Sequence, residues 1–324
     1  FSSINSNIVK DVQIYRSSFP AKFGGGISSI IDITGKSGST KKQKLDLFTN
    51  MLSAGFTYQQ PLSKRGSFIL SARRSFTDQY QTKLYDKIHD FLISGSGLNI
   101  GSELPSDSVL YESQYLPNFY FYDINGKFTY LPTKKDIISI SFYEGKDYLG
   151  EKKNFDFPLD SIGVDQVMTN EKTRWGNNGV SGRWLHRWTE QVTSQLFLSD
   201  TKYLSNHLLN SYWSLDTSTT PVYLSQDKNQ IIDQTFRVHI TYNARQNHLI
   251  EVGLAKTFYK TDYSVDLGDS IIFINEKIKG NLIEGYVQDR WVVSSNIELL
   301  IGVRSEKFSK GNKIFFDPRF TGFY

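Results

Sequence analysis

The sequence predicts an all-β fold: a transmembrane antiparallel β-barrel with about ten strands plus the start of an eleventh from Lys44 onward. Three observations predict it. Short and long gaps alternate between the strands, the strands have period-two hydrophobicity, and aromatic residues make up 15% of the chain. Alternating gaps place all the long loops on one side of a sheet, as in barrels with short periplasmic turns and long extracellular loops. A mean hydropathy of −0.39 is compatible with this fold, because only alternate residues face lipid.

Residues 1–40 differ from the rest and read as the end of a small α/β unit. The predicted elements are a short helix, a strand, a turn rich in Gly and Pro, a second strand and a polar linker: Ser3–Val9, Val12–Tyr15, Phe19–Gly26, Ile27–Ile33 and Gly35–Thr40. We therefore expect a boundary after residue 40, with residues 41–324 forming the N-terminal part of the barrel.

The gaps between the later strands fall into two sets. The tight turns are residues 61–66, 131–136, 243–248 and 293–296. The long polar gaps, which we interpret as loops, are about Asp78–Pro117, Gly150–Asn170 and Asn206–Asn229. Within the first of them, the spacing of apolar residues predicts a short surface helix over Asp78–Phe91.

Strand phase predicts which side chains face lipid. In Asn118–Tyr130 the even-numbered residues form an apolar, aromatic face, and Asp123 lies on the other face. The pair Leu282–Trp291 and Ile297–Arg304 repeats the pattern, with Glu284, Gln288 and Arg304 on the inner face. Strand Gln230–Tyr242 also alternates, with Phe236 and Ile240 on its apolar, lipid-facing side. Charged inner faces require a lumen that is wet or filled with polar protein.

Composition and motifs exclude several classes of function. Without cysteine the chain has no disulfide, thiolate metal site or cysteine nucleophile. A net charge of +4, from 37 basic and 33 acidic residues, is too balanced to indicate nucleic-acid binding. Gly24-Gly25-Gly26 lacks the Lys-Ser/Thr of a phosphate-binding loop, and the five histidines have no zinc-site spacing. We therefore expect no enzyme activity, catalytic residue, metal or cofactor.

Two segments resemble a known family. Ile8–Lys36, with its Phe-Pro-Ala-Lys-Phe-Gly-Gly-Gly turn, is similar to the end of the plug domain of TonB-dependent outer-membrane receptors. Gly285–Trp291 followed by Leu299–Arg304 resembles the recurrent barrel hairpin of the family, and Asp317–Phe320 the start of the next strand. This form of the turn is most like that of receptors from Bacteroidota.

The resemblance implies a barrel of 22 strands filled by an N-terminal plug, located in the bacterial outer membrane. It implies active uptake of a scarce ligand such as a siderophore, vitamin, glycan or peptide. The expected partners are outer-membrane lipid, that ligand, and the TonB complex through a plug segment missing from this sequence. We expect the chain to be an internal piece of a longer protein, covering the end of the plug and about the first half of the barrel.

Two alternatives stay open at this point. One is a passive outer-membrane barrel, either a porin or an adhesin, which needs no plug-like residues 1–40. The other is a soluble carbohydrate-binding β-protein, in which the side chains assigned to the lipid face would pack in a core instead.

Two groups of residues are site candidates. Aromatic residues in the long gaps could stack on a ligand or pack the loops: Tyr111, Tyr115, Tyr212 and Trp213. Inward-facing charges could contact the plug: Arg73, Glu251, Glu284 and Arg304. Strand alternation requires one of Arg73 and Arg74 to point inward, where it could pair with an acid of the plug or remain in solvent at the rim.

Overall fold

The structure is a computed structural model. It describes residues 4–16, 19–25, 28–80, 82–87, 111–114, 118–156, 166–215, 218–245, 247–268, 271–311 and 313–324. Within these ranges, the backbone alone is described for residues 111–114, 155, 156, 166, 167, 213–215 and 218–223. No helix in the described ranges is long and apolar enough to cross a membrane.

The first elements form a separate two-stranded antiparallel sheet. Strand β1 is Val9–Arg16 and strand β2 is Ser29–Gly35. The predicted N-terminal helix is only a 3-10 turn, Ser6–Ile8, because Asn5 caps it and the extended chain begins directly afterwards at Val9. Between the strands, the amide of Phe23 donates to the carbonyl of Pro20 at 3.1 Å and closes a tight turn. We call residues 4–38 the N-terminal segment.

One large antiparallel sheet contains the remaining strands. They are β3 (Lys44–Thr49), β4 (Ser53–Ser63), β5 (Gly66–Ser75), β6 (Tyr111–Gln114), β7 (Asn118–Tyr130), β8 (Asp136–Asp156), β9 (Gln166–Arg187), β10 (Val192–Leu215), β11 (Ser218–Arg245), β12 (His248–Leu267), β13 (Ile271–Ser294), β14 (Ile297–Phe308) and β15 (Ile314–Phe323). Twelve strands follow one another in sequence order from β3 to β15, and short β6 pairs beside them with β8. The described sheet is open, with β3 and β15 at its edges.

The prediction of a long loop is wrong for Asn206–Asn229 and for the two ends of Gly150–Asn170, whose residues 157–165 lie outside the described residues. Strands β10 and β11 stay paired from Val192 with Tyr242 up to Leu215 with Ser218, so the supposed loop Asn206–Asn229 is a hairpin. Likewise β8 continues to Asp156 and β9 begins at Gln166. About 9–11 residues cross a bilayer in a tilted strand. The parts beyond that length need no apolar face, which is why the period-two signal fades there although the backbone pairing continues.

The two faces of the sheet have opposite character. Large apolar side chains are exposed along the outer face of β8–β15 and form the apolar band: Ile140, Phe142, Val180, Trp184, Leu198, Phe236, Ile240, Val252, Leu254, Ile283, Val287, Ile301, Val303 and Phe320. The buried side chains of the inner face are mostly polar: Ser53, Thr57, Ser67, Ser71, Ser75, Asp123, Thr129, Ser139, Thr257, Gln288 and Arg304. This is the polarity expected of a transmembrane barrel with protein in its lumen.

A small apolar cluster lies at the N-terminal end of β7. Tyr85, Phe119 and Phe121 are buried together, and Leu52, Leu149 and Trp175 pack against them. Tyr85 belongs to the helical residues 83–87, which lie within the predicted helix Asp78–Phe91. The cluster fixes the start of the first long connection to the inner wall.

Candidate functional site

The candidate site is the contact between the turn of the N-terminal segment and the inner wall of β12–β15. Arg304 on β14 has its side chain only 5% exposed. Its Nη1 donates to the carbonyls of Ala21 at 3.1 Å and Lys22 at 3.4 Å. Its charge is balanced by Glu306, at 2.5 Å from Nε, and by Glu284, which accepts from Nη2. One guanidinium therefore joins the turn to two wall carboxylates.

Arg319 on β15 holds the same turn from the neighbouring strand. Its Nη1 donates to the carbonyls of Pro20 at 2.8 Å and Phe23 at 2.7 Å. The guanidinium lies 4.4 Å from the ring centre of Phe19 and pairs with Asp317 at 2.5 Å. Residues 304 and 319 are brought together because Gly302 and Arg319 are direct partners across β14 and β15. We call Arg304 and Arg319 the arginine pair.

A polar chain on β11–β13 completes the contact. The amide of Lys22 donates to Oε1 of Gln288 at 3.3 Å, and Nε2 of Gln288 donates to Glu251. Glu251 lies 3.4 Å from Nε2 of His239, whose other ring nitrogen contacts the hydroxyl of Tyr286. This part of the contact consists of hydrogen bonds between polar groups, which can be exchanged for bonds to water at small net cost.

Two glycines allow the close approach. A Cβ on Gly302 would lie 3.0 Å from Cβ of Ala21, which is 1% exposed. A Cβ on Gly24 would lie 2.4 Å from the nearest guanidinium nitrogen of Arg304. Gly25 has a φ of +69°, a conformation that favours glycine. The Gly-rich turn therefore fits this wall by shape as well as by hydrogen bonding.

Tyr15 links the turn to strand β1. Its ring lies 5.4 Å from that of Phe23, and its hydroxyl donates to Gln13 at 2.8 Å. Burial raises the pKa of the Tyr15 phenol, and the nearby Asp32 carboxylate adds to that rise. The phenol therefore stays neutral, and an uncharged aromatic pair packs the turn onto its own small sheet.

A second contact lies on β5. Nδ2 of Asn5 donates to the hydroxyl of Ser71 at 3.0 Å, where both side chains are buried. The hydroxyl of Ser67 donates to the carbonyl of Ser37 at 2.6 Å. The N-terminal segment is thus attached to the wall near both ends and at its turn.

The predicted contact residues fall into three groups. Arg304 touches the turn directly, while Glu284 and Glu251 reach it through Arg304 and Gln288 respectively. Arg73 points inward and pairs at 2.6 Å with Asp123 of the neighbouring wall strand β7. Its next residue, Arg74, is half-exposed and pairs with Asp78. Their role in holding a plug stays a prediction.

The aromatic candidates are placed less fully. Tyr212 is half-buried on β10, in the upper part of the hairpin with β11. Only the backbone is described for Trp213 on β10 and for Tyr111 on β6, and Tyr115 lies outside the described residues. In the described ranges, no group of three or more His, Asp and Glu side chains is arranged to hold a metal ion.

The predicted contact residues did not include Arg319, Gln288 and Asn5, although strand phase placed Gln288 on the inner face. A signal existed for Arg319, because it has the inward phase on the strand that the sequence predicted to begin at Asp317 and that the structure shows to begin at Ile314. No pattern in the sequence marks Asn5, whose contact with Ser71 joins residues 66 positions apart.

Solved structures share this fold. The ferric enterobactin receptor of Pseudomonas aeruginosa, in a mutant form, matches 98% of this chain at 13% identity with a TM-score of 0.64. The outer membrane transporter YddB of Escherichia coli matches 98% at 10% identity and 0.60. The siderophore receptor PirA of Acinetobacter baumannii matches 97% at 10% identity and 0.59. No protein-family model and no curated protein matches the sequence.

The described sheet resembles part of the barrel of TonB-dependent receptors. The three solved structures are two receptors and one transporter rather than enzymes. This chain spans 47%, 46% and 45% of the three solved chains, about half of each. The described part of the chain therefore shares the fold of about half of each of these solved chains.

Proposed function

We propose that this chain is part of a TonB-dependent receptor that takes up a scarce ligand across a bacterial outer membrane. Residues 1–40 act as the end of its plug, and residues 41–324 as the first part of its barrel. Further strands close the sheet, because an open edge cannot face lipid. The ligand is of the siderophore, vitamin, glycan or peptide kind, and the Bacteroidota-like turn stays a prediction of lineage.

The observation that carries the proposal is the docking of the turn by the arginine pair. A plug that must shift or partly unfold needs contacts that are specific and exchangeable. Charge-assisted hydrogen bonds from Arg304 and Arg319 to backbone carbonyls are directional. Water can replace them once the turn moves, whereas a dry apolar interface would have to expose its whole area at once.

The alternatives fit the described residues less well. An open porin does not need a segment fixed across its lumen at Asn5, at the turn and at Ser37. A soluble sandwich would bury the apolar band, yet Leu254 and Phe320 are 66% and 67% exposed.

The proposal is tested by uptake in the source bacterium. The complete gene is deleted, and growth is compared on limiting iron chelates, cobalamin, glycans and peptides as sole sources. We expect one growth defect, restored by the intact gene. Uptake of that ligand should also stop with a proton uncoupler or without TonB. Restored uptake that resists the uncoupler would identify a passive pore and contradict the proposal.

A further inference from the structure

We propose that the upper part of β13 binds an extended acidic peptide, which adds to the sheet as one further strand. The binding surface is residues 274–280 of β13, which we call the free edge. The inference rests on the proposed function and deepens it, because it names a peptide as the class of transported ligand.

Strand β13 continues above its neighbour β14. The last pair between the two strands is Leu282 with Phe308, whereas β13 stays paired with β12 up to Ile271. Strand β15 begins at Ile314, at the same height as the end of β14. In the described part of the chain, the free edge therefore has a strand on one side only. We call the space on its other side, above β14 and β15, the notch; two strand spacings make it about 10 Å wide.

The contacts of Asn281 show which backbone groups of the free edge lack a partner strand. Its carbonyl accepts from the amide of Ser309 at 2.8 Å, and its amide donates to the hydroxyl of Ser309 at 2.9 Å, so both groups point towards β14. Backbone groups alternate between the two sides of a strand, and the register with β12 is regular along the free edge. The N–H and C=O groups of Asn275, Lys277 and Lys279 therefore point into the notch.

The free edge lies in water rather than in lipid. Gly280 is fourteen positions before Ser294, where β13 ends at its tight turn, and about 9–11 tilted residues cross the hydrocarbon. A strand edge with unpaired N–H and C=O groups is a template for another extended chain. The free edge contains no proline, and the bulge of β13 lies above it, between Ile272 and Ile274. It can therefore form a regular ladder with an added strand.

The outer face of the free edge favours an acidic strand. Lys277 and Lys279 lie there, with the same outward phase as Ile283. Lys277 pairs with Asp262 at 3.7 Å, whereas Lys279 lies directly opposite Lys260. An acidic side chain next to Lys279 offsets the repulsion of this like-charge pair, but a second copy of the same strand would add further lysines to it. The charges therefore favour an acidic peptide over another copy of this chain.

The inner face of the free edge specifies the other side chains of the peptide. Ile274 and Ile278 lie on this face, with Glu276 between them, and Ile278 is 45% exposed. Three apolar side chains above the free edge are also exposed: Ile271, Ile272 and Phe273. A fitting peptide thus has two apolar residues on the inner face, a hydroxyl between them to bond the carboxylate of Glu276, and acidic residues on the outer face.

The test is peptide binding by the complete protein in detergent, measured by isothermal titration calorimetry. The probe is acetyl-Ile-Asp-Thr-Asp-Ile-amide, whose side-chain order is the same in both directions. Two further probes carry N-methyl groups, one on its three odd residues and one on its two even residues. Because only one edge of an added strand faces β13, one methylated probe should bind about tenfold or more weakly than the parent, and the other within about threefold.

The protein variant is Asn275→Pro, which removes a backbone donor that points into the notch, and Asn275→Ala is the matched control that keeps it. The proline variant should bind the parent probe about tenfold or more weakly, and the alanine variant within about threefold of the intact protein. The amide of Asn275 takes no part in the pairing with β12, so both barrels should fold. Heat-modifiable migration on gels verifies this.

Three results would overturn the inference: no binding of the parent probe at about 1 mM, equal weakening by the two methylated probes, or equal binding by the proline and alanine variants. Energised, TonB-dependent uptake of a ligand that is not a peptide would also overturn it, while leaving the proposed function standing. Binding of the parent probe with the expected pattern, but without energised uptake of any ligand, would support the strand addition and contradict the proposed function. The two failures are therefore distinguishable.

Discussion

At the scale of residues, the site depends on two arginines that donate hydrogen bonds to backbone carbonyls. Arg304 and Arg319 together hold the carbonyls of residues 20–23. Because the bonded carbonyls belong to the main chain, the wall constrains the backbone conformation of the turn and depends less on the identity of the side chains in the turn. The small residues Ala21 and Gly24 are required for the approach, and glycine at 302 on the wall serves the same end.

Replacing Arg304 should loosen the turn. In Arg304→Met, Glu284 and Glu306 lose their shared cation, and breaking a buried pair costs about 3–5 kcal/mol. Hydrogen exchange of the Lys22 and Phe23 amides should accelerate about 100-fold or more. The matched variant Arg290→Met breaks a half-exposed pair with Glu298 and should change exchange little. Equal acceleration in both variants would remove the assigned role of Arg304.

Adding one methyl group at Gly24 should also weaken the contact between the turn and the wall, but by less than the loss of Arg304. In Gly24→Ala the new Cβ displaces the guanidinium of Arg304, and overpacking of this kind costs about 1–3 kcal/mol. The thermal midpoint of the purified protein should fall. Gly182→Ala is the control, because its Cβ would meet nothing within 4 Å. A fall of the same size in the control would show that the turn does not stabilise the protein.

At the scale of elements, strand phase was predictable where one face meets lipid. The expected outward residues Ile124, Ile283, Val287 and Ile301 are exposed, and inward Arg304 is buried. The ends of the β8–β9 and β10–β11 hairpins were not predictable. Where both faces of a hairpin meet water, apolar and polar residues no longer alternate, although the backbone pairing continues. The main sheet has twelve strands in sequence order plus short β6, where the pattern predicted ten and the start of an eleventh.

The β10–β11 hairpin gives a prediction for ligand binding. We expect Tyr212→Ala and Trp213→Ala each to weaken binding of the transported ligand about fivefold, since lost aromatic contacts at a binding surface cost about 1 kcal/mol or more. Equilibrium binding to the purified receptor measures the change. Trp188→Ala is the control, because this tryptophan lies at the opposite, tight-turn end beside Ser194. Unchanged affinity in both hairpin variants would show that the ligand does not bind at this hairpin.

At the scale of the whole molecule, the distribution of apolar and polar side chains on the sheet is the reverse of that in a soluble protein. Its apolar side chains lie outside, and its buried side chains are mostly hydroxyls, amides and ion pairs. The sequence allowed this prediction because period-two strands carried charge on one face. It could not predict which wall residues meet the turn, since contacts such as Arg304 with Ala21 join residues 283 positions apart.

The apolar band predicts the depth of the protein in the bilayer. The chain has no cysteine, so a single spin label can be placed at Leu254→Cys or Ser264→Cys on β12. These outward positions are about 33 Å apart along the strand, or about 23 Å along the membrane normal at a tilt of about 45°, which is more than half the thickness of the hydrocarbon core. Oxygen should relax the label at 254 more strongly, and a water-soluble nickel complex the label at 264. The reverse order, or equal access to water, would contradict the membrane orientation.

The most direct test of the central claim is a reversible lock between turn and wall. In Ala21→Cys/Gly302→Cys of the complete receptor, the two Cβ atoms would be 3.0 Å apart, so the turn must move outward by about 0.5–1 Å to reach the spacing of about 3.5–4.5 Å found in disulfides. Thr235→Cys/Thr257→Cys, across β11 and β12, is a control disulfide confined to the wall. Ligand uptake is measured in the oxidised and the reduced form of each protein, so packing effects of the substitutions cancel. We predict that oxidation abolishes uptake only in the turn–wall pair and that reduction restores it; equal uptake by its oxidised and reduced forms would contradict the account.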